Sequence, residues 1–224
     1  MQAIILAAGL GVRMRPLTDK TPKPLLKIGD QTILDYTISQ LPKSVDEIIL
    51  VVGYLKEQII DHVKTNYPDL NVRFVDVEPL GTAYAVNECK QYLKGNFLVL
   101  NGDDIFDQED LDKLVEQKDW AFLVQYKDDT KRFGIIETDS DGNFSGIAKG
   151  DVDKPGPANI GAYVLGMDYF DYEMQKTSSG EFGLPHTILF AAKQGKKVKV
   201  VEAKFWMPVG FPEDLERINQ GLTK

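Results

Sequence analysis

The sequence is short of several things, and each shortage excludes something. Its 224 residues hold one cysteine, Cys89, so there is neither an internal disulfide nor a cysteine-rich metal site. No apolar run approaches the roughly 20 residues that a membrane-spanning helix needs. The opening MQAIILAAGL has no basic n-region and no cleavage site, and it reads as a strand rather than a secretory signal. Internal repeats, low-complexity tracts and linker-like stretches are absent. Positive charge is also scarce: 26 Lys and Arg against 34 Asp and Glu give a net charge of −8, and such an acidic surface repels nucleic acid. With 43% hydrophobic residues the composition is that of a soluble globular protein. The expectation is one cytoplasmic α/β domain spanning 1–224, with no membrane or nucleic-acid partner.

Against this acidic background, residues 6–27 gather Arg13, Arg15, Lys20, Lys23 and Lys27 with a single acid, Asp19. The surrounding pattern says where that loop falls. AIIL (3–6) is a short apolar run that ends in glycines, as a buried strand does. TILDYTISQL (32–41) has helical spacing and stops at Pro42. EIILVVGY (47–54) reads as a strand, LKEQIIDHVKTNY (55–67) as a helix, and NVRFVDV (71–77) as a strand. TAYAVNECKQYL (82–93) reads as a helix, and NFLVLNGDD (96–104) as a strand entering an acidic turn. Alternating units of this kind predict a doubly wound, mostly parallel sheet.

After about residue 118 the rhythm turns to strands: 120–126, 133–139, 144–150 and 159–165, with DSDGN (139–143) as a hairpin turn. A helix over 186–195, strands over 196–203 and 204–210, and a last helix from 212 complete the chain. The prediction is a nucleotide-binding half over 1–118 and a small β-rich addition over 119–224.

Ligands of open α/β sheets bind beyond the carboxyl ends of the strands, and the loop AAGLGVRMRP lies there. Gly9 and Gly11 would let backbone N–H groups approach a phosphate, with the arginines neutralising it. Two familiar nucleotide motifs do not fit. Met14 stands where G-x-G-x-x-G needs its third glycine, and the Walker pattern is missing. Without more, the loop could equally be a solvated turn.

Read in full, G-x-G-x-R-x-x-P-L-T followed by P-K-P-L (Gly9, Gly11, Arg13, Pro16, Leu17, Thr18, Pro22, Lys23, Pro24, Leu25) resembles the signature of the sugar-1-phosphate nucleotidyltransferases. VGYLKEQI, EPLGTAYAV, FLVLNGDDIF, GIIETDSDGNFSGIAKG, NIGAYVL and VGFPEDLERIN resemble further blocks of that family, in its order. The resemblance implies a Rossmann-like core, and in-line attack of a sugar 1-phosphate on the α-phosphate of a nucleoside triphosphate, assisted by Mg²⁺. It implies that Arg13 holds the triphosphate and that Lys23 bridges the α-phosphate and the leaving group. Asp103 would be the metal carboxylate, with Asp104 capping or supporting. Leu6, Ala7, Ala8, Gly9, Gly11, Gly81 and Thr82 would line the nucleotide. Lys149 would contact the sugar phosphate, and Gly134, Asn159, Gly161 and Glu181 the sugar.

Three positions depart from the pattern. Pro208 occupies the place of a usual second metal ligand, Ala148 that of a sugar-binding glutamate, and LPH, with His186, that of a Thr-Asp pair. Asp76 stands where many uridylyl and thymidylyl enzymes carry glutamine. A carboxylate accepts hydrogen bonds only, which suits the adjacent donors of guanine and also the amino group of cytosine. EPLGTA resembles the mannose- and heptose-1-phosphate guanylyltransferases, whereas LAAG is commoner among uridylyl and thymidylyl members, so the reading leans to guanine and the base stays open. Two other functions fit the residues: a cytidylyltransferase for a non-sugar phosphate such as phosphocholine, and a non-catalytic NDP-sugar-binding paralogue. The 224 residues contain no left-handed β-helix repeat of the kind that accompanies an acetyltransferase domain in some relatives. His62 is expected on the surface, Cys89 packed in the interior, and Trp120 and Trp206 in the core ahead of a pocket wall.

Overall fold

The computed structural model describes residues 1–150 and 154–222. Strand β1 (Gln2–Leu6) is buried from Gln2 to Ile5, and three short 3-10 turns follow it (Val12–Met14, Leu17–Asp19 and Lys23–Leu25). A two-rung hairpin of β2 (Lys27–Ile28) and β3 (Gln31–Thr32) leads into α1 (Ile33–Ser39). A reciprocal cap starts α1. The Thr32 hydroxyl accepts the Asp35 N–H, and the Asp35 carboxylate accepts the Thr32 N–H at 2.8 Å.

Next come β4 (Glu47–Val52), α2 (Lys56–Asn66), β5 (Val72–Asp76), α3 (Thr82–Glu88) and β6 (Phe97–Asn101). Strands β5, β4, β1 and β6 lie side by side, all parallel. Because β1 has β4 on one side and β6 on the other, successive crossovers leave it in opposite directions. A crevice therefore opens beyond the ends of β1 and β6.

The second half comprises β7 (Asp104–Phe106), α4 (Gln108–Val115), β8 (Trp120–Lys127), β9 (Gly134–Thr138), β10 (Phe144–Lys149) and β11 (Gly156–Leu165). It ends with α5 (Leu184–Lys193), β12 (Val198–Glu202), β13 (Trp206–Pro208) and α6 (Pro212–Leu222). The β-rich half is no separate layer. Strand β11 pairs antiparallel with β6, and through it β8, β9, β10 and β12 extend the parallel core into one nine-stranded sheet. Halfway along β11 its pairing with β8 shifts register between Asn159 and Tyr163, and Gly161 there has a φ of 79°. The expected strand over 96–104 divides, because the chain turns at Gly102–Asp103 and β7 leaves to pair with β13. Helix α4 was not expected from the sequence. Its start is an Asp107 carboxylate accepting the Glu109 N–H, and its apolar face is Leu111, Leu114 and the partly buried Val115.

Strand residues alternate between two faces, as a pleated sheet requires. Ile4 and Val99 pack with Val86 of α3 and Ile188 of α5, whereas Leu98 and Leu100 pack with Leu111 and Leu114 of α4. Cys89, Trp120 and Trp206 are buried as expected. His62 differs from expectation: its Nε2 lies 2.7 Å from Asp35 Oδ1, which also accepts the Tyr67 hydroxyl at 2.8 Å. Among the described residues no helix is long and apolar enough to cross a membrane.

Asp35 is thus a half-buried acceptor joining α1, α2 and Tyr67. Burial alone would raise its pKa, but the bonds from His62, Thr32 and Tyr67 together hold it below the usual 3.8. The folded state therefore favours the carboxylate, and its contribution exists above the unfolded value and is lost as pH falls through the folded one. Asp35→Asn should lower stability at pH 7 by about 1–3 kcal/mol, the cost of unmade bonds to a charged group. The gap to the parent protein should close below about pH 3.8. Urea unfolding at several pH values checks this, and a gap independent of pH would refute it.

Candidate functional site

The crevice beyond β1 and β6 holds two adjoining cavities, of about 610 and 170 Å³. They share a wall built from Arg13, Lys23, Asn101, Asp103 and Gly210. Close backbone approach shapes this wall. The Gly102 N–H donates to Leu6 O at 2.9 Å, and a Cβ on Gly102 would lie 2.8 Å from that oxygen. The loop after β1 is pinned by Met14, fully buried, and by Gly11, whose φ of 61° and contact with Thr18 leave no room for a side chain.

Of the five cations on this loop, two line the cavities. Arg15 pairs with Asp19 in solvent, and Lys20 and Lys27 are exposed. Lys23 is 93% buried by its neighbours, being 7% exposed, and its Nζ lies 2.5 Å from Asp103 Oδ2. Arg13 is exposed and enters no ion pair among the described residues; its guanidinium sits 5.2 Å from the centre of the Phe211 ring. Asp104, next to Asp103, is buried and accepts from Asn101 Nδ2 at 3.3 Å. Burial, and then the charge of Asp103, push its carboxyl well above the usual range, with Lys23 opposing them. In the β7–β13 ladder Asp104 stands directly opposite Pro208, so a carboxylate from the neighbouring strand faces the position that lacks one.

The larger cavity collects Leu6, Ala7, Ala8, Gly9 and Gly11 along one side, and Gly81, Thr82 and Glu181 along another. Gly81 and the segment before α5 are in backbone contact. Gly81 has a φ of 115°, a Cβ there would meet Phe182 O at 2.3 Å, and Ala83 N–H donates to that oxygen at 2.9 Å. The Thr82 hydroxyl accepts the Leu184 N–H at 2.9 Å, so it ties the two segments together. His186 also lines this cavity.

Asn159 lines the smaller cavity. Its Oδ1 accepts from Gly161 N–H and the Tyr163 hydroxyl, each at 2.9 Å, while its buried Nδ2 has no protein partner among the described residues. Gly161 lies behind it, against Asn101.

Three expected residues lie elsewhere. Asp76 is ion-paired with Lys56 and lines neither cavity; the carboxylate on that side of the larger cavity belongs to Glu78. Lys149 and Gly134 face each other as a β9–β10 ladder pair, with Lys149 exposed, and neither lines a cavity. The sequence reading did not single out Glu78, Asn101, Arg132, Phe211 or Asp214, all of which do. Glu78 follows Val77, whose burial marks the cavity side of the chain. The other four meet only through the fold.

A family model described as nucleotidyl transferase matches residues 2–224, and the chain belongs to that family. The bifunctional protein GlmU of Methanocaldococcus jannaschii is 35% identical over 99% of this chain and 54% of its own length. The chain thus spans about half the length of the GlmU relatives it matches. The D-glycero-alpha-D-manno-heptose 1-phosphate guanylyltransferase of Campylobacter jejuni is 31% identical over 96% of each chain. The crystal structure of HddC from Yersinia pseudotuberculosis complexed with GMP-PN superposes with a TM-score of 0.76 over 99% of both chains, at 27% identity.

Gly161→Ala tests how tightly the shared wall is set. A Cβ there would lie 2.1 Å from Asn101 Nδ2, on a backbone with positive φ. Strain of this kind costs more than about 1 kcal/mol. The variant should melt at lower temperature and lose the Asn101–Asp104 bond in a crystal structure. Unchanged melting with Asn101 in place would show that the wall is slack.

Proposed function

We propose that the protein condenses a nucleoside triphosphate with a sugar 1-phosphate to give an NDP-sugar and pyrophosphate. The observation that carries this reading is the wall of Arg13, Lys23 and Asp103 shared by a larger and a smaller cavity at the sheet's switch point. In this reading the larger cavity takes the nucleotide and the smaller one the acceptor. The name of the Campylobacter relative, a heptose 1-phosphate guanylyltransferase, supports a sugar 1-phosphate as acceptor. We read the reaction as cytoplasmic, a reading supported by soluble nucleotide and sugar phosphate as its substrates.

A phosphate oxygen of the acceptor attacks the α-phosphorus, a new P–O bond forms, and the bond to the β-phosphate oxygen breaks with its electron pair leaving on pyrophosphate. No side chain need become covalently linked, so the protein's work is alignment and charge neutralisation. Arg13, free of ion pairs among the described residues, holds the β- and γ-phosphates. Lys23, buried and aimed by Asp103, sits where charge moves from the α-phosphate to the leaving group. The backbone from Ala8 to Gly11 follows the phosphates, and Leu6 and Ala7 lie by the base. Glu78, rather than Asp76 held by Lys56, is the carboxylate placed to accept from donors of the base.

Asp103 at the shared wall and Asp104 beside it in the smaller cavity fit Mg²⁺. Among the described residues no group of three or more His, Cys, Asp or Glu forms a metal cage. The protein's share is the pair Asp103 and Asp104, which suits an ion that keeps water and phosphate oxygens as its other ligands. Bound there, it would neutralise charge on the phosphates.

Pyrophosphate release is the test, crossing GTP, CTP, UTP, dTTP and ATP with glucose, mannose, N-acetylglucosamine and heptose 1-phosphates and with phosphocholine. Turnover is expected with one nucleotide and a sugar 1-phosphate. Preference for CTP with phosphocholine would replace the sugar reading, and silence throughout with nucleotide-raised melting would leave a binding protein. Asp103→Asn should abolish turnover with the fold intact by circular dichroism. Lys23→Ala should lower kcat by about 10²–10³-fold, as loss of a donor to developing charge does, with a smaller change in KM. A Lys23→Ala effect confined to KM would assign the lysine to ground-state binding.

A further inference from the structure

The acceptor in this reaction brings a phosphate dianion up to a triphosphate, so it needs a cation of its own. This inference rests on the function proposed above. Arg13 and Lys23 belong to the wall both cavities share, and the charge of Lys23 is already engaged by Asp103. Lys149, the cation that family resemblance offers to the sugar phosphate, is exposed at the end of β10 and lines neither cavity.

The smaller cavity has a third cation, Arg132, which the larger cavity lacks. It is fixed from two sides. Its guanidinium lies 4.2 Å from the centre of the Phe211 ring, the same ring that Arg13 approaches. Its Nη1 donates to both oxygens of Asp214, at 3.2 and 3.4 Å. Asp214 is itself 5% exposed and immobilised, since its Oδ2 also accepts the N–H groups of Gly210 and Phe211 at 3.0 Å each. The clamp uses one nitrogen of the guanidinium, and the fork retains donors on the others.

Two further features of this cavity match a sugar phosphate. Asn159 Nδ2 is buried without a protein acceptor while its Oδ1 is doubly engaged, so the amide is held with a donor to spare. Phe133 and Trp206, stacked edge to face with centres 5.1 Å apart, give an apolar wall.

We propose that Arg132, positioned by Asp214 and Phe211, binds the phosphate of the sugar 1-phosphate from the smaller cavity. A planar guanidinium recognises two phosphate oxygens at once, which an ammonium cannot do. Arg132→Ala should therefore raise KM for the sugar 1-phosphate by about 10- to 100-fold, the loss of charge-assisted bonds. KM for the nucleotide should stay within about two-fold, and Arg132→Lys should fall between the parent and Arg132→Ala.

The measurement is two-substrate steady-state kinetics of the parent, Arg132→Ala and Arg132→Lys, using the sugar 1-phosphate and nucleotide pair that the panel above identifies. Asp214→Asn is a fourth protein, which leaves the arginine in place but loosens its clamp; it should raise the same KM by less than Arg132→Ala does. Equal rises in both KM values, or no rise for the sugar phosphate, would overturn the proposal while the reaction stood. Absence of turnover in the parent with every pair would overturn the reaction itself, and this inference with it.

Discussion

Simultaneous parallel pairing of β1 with β4 and β6 is the constraint on which the rest depends. The ladders set Leu6 opposite Val51 on one side and Asn101 on the other, so three segments distant in sequence leave the sheet at one level. Ala7 N–H then bonds Val51 O, and Gly102 N–H bonds Leu6 O. The loop after β1 and the acidic turn after β6 are thereby neighbours before any side chain is considered. The Lys23–Asp103 contact closes the gap between them.

In the proposed reaction an acidic protein meets polyanions, and it must keep a few cations where they act and prevent its own acids from cancelling them. Here the solution is unequal pairing. Arg15 is spent on Asp19 in solvent, Lys23 is oriented by Asp103, Arg132 is oriented by Asp214, and Arg13 has no acid paired with it among the described residues. Burial separates these cases. An exposed pair such as Arg15–Asp19 contributes little, because water screens both charges. The buried members, Lys23 and Asp214, are fixed in place, and each holds its partner at a cavity wall.

Much of this was legible in the sequence where the information is local. The strands around Ile4, Ile49 and Val99 are apolar runs with turn residues beyond them, and the signature loop carries its glycines, prolines and cations within a few residues. Asp103 stood out because FLVLNGDDIF resembles a family block that carries a metal aspartate; its place at a strand end alone fits a turn equally well. What could not be read depends on distant segments meeting. Arg132, Phe211 and Asp214 lie some 80 positions apart at the extremes and form a cluster only because β13 returns to pair with β7. Asp76 and Glu78 differ by one period of a strand, and only the ion pair with Lys56 shows that the first is turned to other use. Helix α4 escaped because it is only eight residues long, with Leu111, Leu114 and Val115 as its apolar residues, shorter than the window over which a helical period is read.

The backbone contact between Gly81 and Phe182 bears on how this scaffold can change over evolutionary time. Two main chains meet there with no side chain between them, and the Thr82 hydroxyl and the Ala83 amide bond across the junction. Neither segment can lengthen or drift alone without parting from the other. New substrate preferences must therefore arise from residue exchanges on the rim, at places such as Glu78, Glu181 and His186, rather than from insertions that respace the chamber. The walls can be redecorated, but the room keeps its dimensions.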